Sequence, residues 1–236
     1  LNVYAQNVSD SNTYLWNLKG GESVSNGDTL TFNGSSNPTV AGNISYAGNI
    51  VTSSQTGSSM TFTGDIQAES FKVAHYYGRI HMAGNELAVN KLWVGAGGGY
   101  DNSLYGALDL DSGNVTTAGQ VRLAELGHGV LNVNQGSSLT VSGSNDTHST
   151  SASFLLAHWA YSGELNLRGG SLTALSTSMR LSWDGTGTFN ASSGTADLLG
   201  MSFWASGNGS FRGSFLLGGA TYGDDRVKIG PPGITY

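Results

Sequence analysis

The chain carries 236 residues, of which 36 are Gly, 3 Pro and none Cys, with 11% charged and 10% aromatic residues and a formal charge of −6. Charge at less than half the roughly 25% of average soluble proteins, alongside this aromatic content, excludes a disordered chain, and scarce Pro excludes a collagen-like one. The missing Cys excludes a disulfide scaffold and thiolate zinc sites, and the acidic balance excludes a phosphate-backbone binder, so no nucleic-acid partner is expected.

Residues 1–26 precede the first regular pattern, and Tyr14, Leu15 and Trp16 mark them as a segment expected to cover the open edge of the first repeat. Short strands between Asn/Gly/Ser turns are then predicted at Leu30-Thr-Phe32, Val40, Ile44, Ile50-Val51 and Met60-Thr-Phe62. Next comes a series of apolar-x-apolar triplets: Phe71-Lys-Val73, Leu92-Trp-Val94, Val121-Arg-Leu123, Phe154-Leu-Leu156, Met179-Arg-Leu181, Met201-Ser-Phe203 and Val227-Lys-Ile229. Interleaved with them runs Leu108-Asp-Leu110, Leu131-Asn-Val133, Leu165-Asn-Leu167 and Phe189-Asn-Ala191, each between glycines, with Phe211 continuing the series. Between these two strands lies a third, centred on Val115, Leu139, Leu172 and Ala196. The long interval between Leu131 and Leu165 holds residues 142–153, a Ser/Thr/Asn/Gly-rich loop insertion. No long helix and no interdomain linker is predicted, so residues 1–236 are one domain.

A repeat near 22–24 residues with three short strands is too brief for a propeller blade and fits a coil whose rungs stack. Side chains alternate along a strand, so Leu108, Leu131, Leu165, Phe189 and Phe211 form one inward column, with Asp109, Asn132, Asn166 and Asn190 outward beside it. The fold class is therefore all-β, a single-stranded β-solenoid with about three strands per rung.

Two stretches carry a resemblance. Asn26-Gly-Asp-Thr-Leu-Thr-Phe-Asn-Gly, with Val40 and Ile44 after it, is similar to the opening of autotransporter-like passenger repeats. Leu92-Trp-Val-Gly95, Gly106-Ala-Leu-Asp-Leu-Asp-Ser-Gly-Asn-Val-Thr116 and Gly163-Glu-Leu-Asn-Leu-Arg-Gly-Gly-Ser-Leu-Thr173 resemble the repeat unit of that family. The resemblance implies a right-handed β-helix and a bacterial extracellular or cell-surface location. It also implies that the chain is a passenger piece or a free exported subunit. No apolar run reaches the ~18 residues of a membrane helix, and membrane insertion is not expected.

Motifs for chemistry are sparse. The five His residues never take metal-ligand spacing, no Gly-x-Ser-x-Gly elbow occurs, and Gly95-Ala-Gly-Gly-Gly-Tyr100 departs from a dinucleotide loop at Tyr100. No catalytic, cofactor or metal residue is assigned. Asp109 and Asp111 are expected to face solvent, where a lyase reading would use them for Ca²⁺ with Arg122 or Arg180 as base; a plain solvated strand face is preferred. The outward position of the triplets reads Lys72, Trp93, Arg122, Leu155, Arg180, Ser202 and Lys228, a partly basic stripe. The turns after the triplets hold His75, Tyr76, Tyr77, Tyr100, His128, His158, Trp159, Tyr161, Trp183 and Trp204, which stacking would line along one edge as corner packing, subunit interface or glycan contact. The expected function is a non-enzymatic structural or adhesive module of a bacterial surface protein. Its expected partners are itself, as an end-to-end filament, or a cell-surface glycan. The alternative is a polysaccharide lyase or hydrolase on the same scaffold.

Overall fold

The computed structural model describes residues 2–7, 12–17, 29–34, 37–54, 58–74, 78–95, 105–143, 153–158, 161–174, 178–182, 185–197, 202–205, 213–216, 220–222 and 228–229. Strands β1 (Asn2–Asn7) and β2 (Asn12–Asn17) form an antiparallel hairpin. The coil then runs through β3 (Thr29–Gly34), β4 (Pro38–Ala41), β5 (Ile44–Ser54), β6 (Ser59–Phe62), β7 (Ile66–Val73), β8 (Arg79–Met82) and β9 (Glu86–Val94). It continues through β10 (Tyr105–Leu110), β11 (Val115–Leu123), β12 (His128–Asn134), β13 (Ser138–Val141), β14 (Phe154–Leu155), β15 (Ser162–Thr173) and β16 (Ser178–Ser182). It ends with β17 (Thr186–Asp197), β18 (Ser202–Ala205), β19 (Gly213–Leu216), β20 (Ala220–Tyr222) and β21 (Lys228–Ile229).

These strands stack in parallel as a β-solenoid with three faces. The first face is β4–β6–β8–β10–β12, then the first halves of β15 and β17, then β19. The second takes the first halves of β5, β7, β9 and β11, then β13, the later part of β15 and of β17, and β20. The third takes β3, the later parts of β5, β7, β9 and β11, then β14, β16, β18 and β21. Strand β1 pairs antiparallel with β4, so the hairpin lies along the edge of the first face.

The inward columns close one continuous core. Leu108, Leu131, Leu165 and Phe189 stand opposite one another in successive rungs and are fully buried. Phe71, Leu92, Val121, Phe154 and Met179 do the same on the third face. Phe62 meets Phe32 and Phe71 edge to face at 5.6 Å, binding the first and third faces together. Each fully buried side chain of this size contributes about 1.5–3 kcal/mol, and a rung realises that only against its neighbours.

Three register expectations are corrected. On the first face Phe215, not Phe211, stands opposite Phe189, because β19 begins at Gly213 opposite Gly187. On the second face the inward residue of β11 is Thr116, opposite Leu87 and Leu139, while Val115 is 49% exposed. The hydroxyl of Thr116 is tolerated there because it donates to Asn114 Oδ1 at 2.6 Å. On the third face Phe203 stands opposite Met179 and Trp204 opposite Arg180, so Ser202 and Lys228 belong to a different column from Arg180.

Glycine sets the coil's tightness in two ways. At the turn into the second face Gly113 and Gly136 take φ of 84° and 77°, and the Gly113 N–H donates to the Gly136 carbonyl at 2.9 Å. At the start of the first face Gly106, Gly129, Gly163 and Gly187 stack in register for lack of space alone. A Cβ on Gly129 would come within 2.3 Å of the Val94 carbonyl oxygen, and one on Gly163 or Gly187 would overlap the carbonyl oxygen of Leu156 or Leu181. The chain leaving the third face passes directly against this column.

Candidate functional site

Charged and polar side chains gather on two outer surfaces. On the first face the column His81, Asp109, Asn132, Asn166, Asn190 is in register. It does not face water: Asp109 is 4% exposed, and Asn132 and Asn166 are equally buried. The expectation of a solvated Asp109 is therefore overturned. Its Oδ1 accepts from Asn132 Nδ2 at 2.6 Å, its Oδ2 accepts from Arg79, and Asn132 Oδ1 accepts from Asn166 Nδ2 at 3.1 Å. Stacked amides satisfy one another along the axis, which is what allows this polar column to be buried. The hydrogen bond from Arg79 to Asp109 raises the guanidinium pKa above its ordinary value, and burial pushes the Tyr105 phenol up beside it. Asp111, half-exposed, is held by His81 Nδ1 at 2.7 Å and Asn134 Nδ2 at 3.0 Å.

On the third face the outward column is Val51, Lys72, Trp93, Arg122, Leu155, Arg180, Trp204. Here too the expected solvated stripe is corrected, since Arg122 is 4% and Arg180 2% exposed. Trp93 lies between two cations, with Lys72 Nζ 4.3 Å and Arg122 Cζ 5.3 Å from its ring centroid. The indole face offsets part of the cost of holding like charges near one another. Burial, followed by Lys91, lowers the Lys72 pKa, and Glu125 opposes them.

Glu125 completes this cluster. Ala124 turns the chain at φ 55°, and Glu125 returns to accept from Arg122 at 3.0 Å while His158 Nδ1 stands 3.7 Å away. Burial pushes the Glu125 carboxyl up, but His158 and Arg122 outweigh it and hold the group below the usual carboxylate range. A carboxylate depressed in the folded state adds stability above its ordinary range and loses it as pH falls through the folded value. Glu125→Gln is expected to cost about 2 kcal/mol at neutral pH and to flatten the acid limb of the stability curve, as read by denaturant titration at successive pH values.

The remaining sequence candidates separate. Tyr161, placed by the sequence along the aromatic edge, is 1% exposed and packs edge-on against the His128 ring at 5.8 Å, a buried corner contact. His128 is half-buried, and its Nδ1 accepts the Ser162 backbone N–H at 2.9 Å, so it ties one rung to the next. His75, Tyr76, Tyr77, Tyr100, Trp159 and Trp183 lie outside the described residues, as do 144–152 of the insertion, and Trp204 is placed only by its backbone register. Sequence reading missed Arg79, Glu125 and the lateral bonding of Asp109. Only the register that sets His81 opposite Asp109, with Arg79 on the same side of the same strand, could have signalled it. Among the described residues no group of three or more His, Asp and Glu could hold a metal ion. Comparison with known proteins finds no matching family model, curated protein or solved structure.

Proposed function

We propose that this chain is a structural or adhesive module of an exported bacterial surface protein, a stiff rod that holds its turns outward. One observation carries the reading: among the described residues Asp109, Asp111 and Glu69 are tied to side chains of neighbouring rungs, and Glu125 is tied within its own turn. Asp109 binds Arg79 and Asn132, Asp111 binds His81 and Asn134, Glu125 binds Arg122, and Glu69 binds Lys91 at 3.3 Å and Asn90 at 2.6 Å. Groups tied along the axis stiffen a stack, whereas general acid–base work needs them converging on a substrate with protons to exchange. The passenger-like repeats of Gly106–Thr116 and Gly163–Thr173 support the same assignment and the extracellular location.

The test is incubation of purified protein with acidic and neutral polysaccharides, followed by reducing-end and unsaturated-product assays, with negative-stain images of the same sample. No release of product and discrete rods are expected. Release abolished by Asp109→Asn would replace the reading with a polysaccharide-cleaving enzyme, and continuous fibres would replace it with a filament subunit.

A further inference from the structure

A groove of about 530 Å³ runs along the solenoid axis at the corner between the second and third faces, from β5 across β7, β9 and β11 to Ser142. It exists because small residues occupy its floor. Ala47, Ala88 and Gly119 lie along it, and Gly119 is required by close approach, since a Cβ would come within 2.8 Å of the Asn90 carbonyl oxygen. Its polar lining repeats by rung: Ser45, Gln67 and Thr117 on the second face share one column with Ala88. Asn90 lines the corner beside them, and the half-buried ring of Tyr46 lies at the β5 end.

We propose that this groove binds a linear, uncharged polysaccharide lying parallel to the axis. Three of the four rungs present a hydroxyl or amide in this column and Asn90 stands beside the fourth, at Ala88, so rungs about 4.8 Å apart offer donors and acceptors along the axis to a polymer that is itself a series of hydroxyls. Charge selects against other extended polymers. The single carboxylate inside, Glu69, is neutralised by Lys91, and the exposed Asp65 and Glu86 belong to an adjoining depression that shares Ser45, Gln67 and Ala88 with the groove. An acidic flank repels polyanions, nucleic acid included. An extended peptide would be captured through an unpaired strand edge, but β7, β9 and β11 are hydrogen-bonded to neighbours on both sides beneath the groove. Methyl groups and a tyrosine ring suit the C–H faces of sugar rings.

This goes beyond the structural role, which stands whether or not the groove is filled. The experiment is isothermal titration of the folded chain with soluble β-glucan, α-mannan and galactan, using polygalacturonate as the anionic comparison. Two variants separate blockade from lost hydrogen bonding: Ala88→Arg, whose outward position leaves the core untouched, and the pair Gln67→Ala with Asn90→Ala. Binding of at least one neutral polymer is expected, weakened tenfold or more by each variant and absent for polygalacturonate. Three results would overturn the assignment: no neutral polymer binding, binding unaltered by both variants, or a concentration-dependent dimer that Ala88→Arg abolishes, since the last would mean that a second copy occupies the groove.

Discussion

Gly163→Ala should destabilise the protein by about 3 kcal/mol or more, one of the largest effects expected of any single methyl group added to it. The added carbon would be placed inside the Leu156 carbonyl oxygen and within 3.0 Å of Leu123 Cβ. Neither neighbour can yield cheaply. The Leu156 N–H is itself bound to the Arg180 carbonyl at 3.0 Å, and Leu123 is fully buried in the core. Relief therefore requires the first and third faces to move apart over at least one rung, opening the seam that Gly106, Gly129, Gly163 and Gly187 keep closed. Gly163 does not need a left-handed backbone, so a stability loss here measures space rather than conformational freedom. Thermal and denaturant unfolding check the size of the effect, and Thr186→Ala, at an exposed position of the next rung, should change stability by less than about 0.5 kcal/mol.

The second large effect belongs to the amide column. Asn132→Ala should cost about 2–4 kcal/mol, because it leaves two buried groups short of a partner at once. Asp109 Oδ1 loses its 2.6 Å donor, and Asn166 Nδ2 loses its acceptor at 3.1 Å. Asp109 retains Arg79, so the fold should persist with lowered stability rather than fail. Asn134→Ala removes a bond of similar length to Asp111, but both of those residues are partly open to water, which can replace the amide. That variant should lose no more than about 1 kcal/mol. Equal losses for the two would show that burial of the column contributes nothing.

The sequence made the inward columns legible because two constraints coincide there: strand alternation and the rung repeat both demand an apolar residue. Leu131 opposite Leu165 and Val121 opposite Phe154 follow directly. The outward columns were not legible in the same way. Alternation says which side of a strand Asp109, Arg122 and Arg180 occupy, but not whether that side meets water, and an Asn or Asp reads as surface until its bond to the adjacent rung is known. Register faded wherever a turn changed length. Phe211 sits at a plausible spacing from Phe189, yet the chain needs four further residues before Phe215 reaches that place. Thr116 was hidden for a different reason, since Val115 beside it is the more apolar of the two and only the Asn114 side chain makes the buried hydroxyl acceptable. The groove was invisible because its floor is made of small residues drawn from separate rungs, none notable in its own stretch of sequence.

The hairpin along the first face has a consequence for how the molecule comes together. Asn7 pairs with Asn12 close by in the sequence, whereas Leu30 meets Ile50, Ile44 meets Ile66 and Leu131 meets Leu165 only across much longer stretches of chain. Closing the short connection carries the smallest entropic penalty, so β1 and β2 can zip before any rung exists. Once β4 docks on β1, each later winding has a finished template to land on. Windings added to that edge each close a longer stretch of chain, and each gains its burial only against the winding before it.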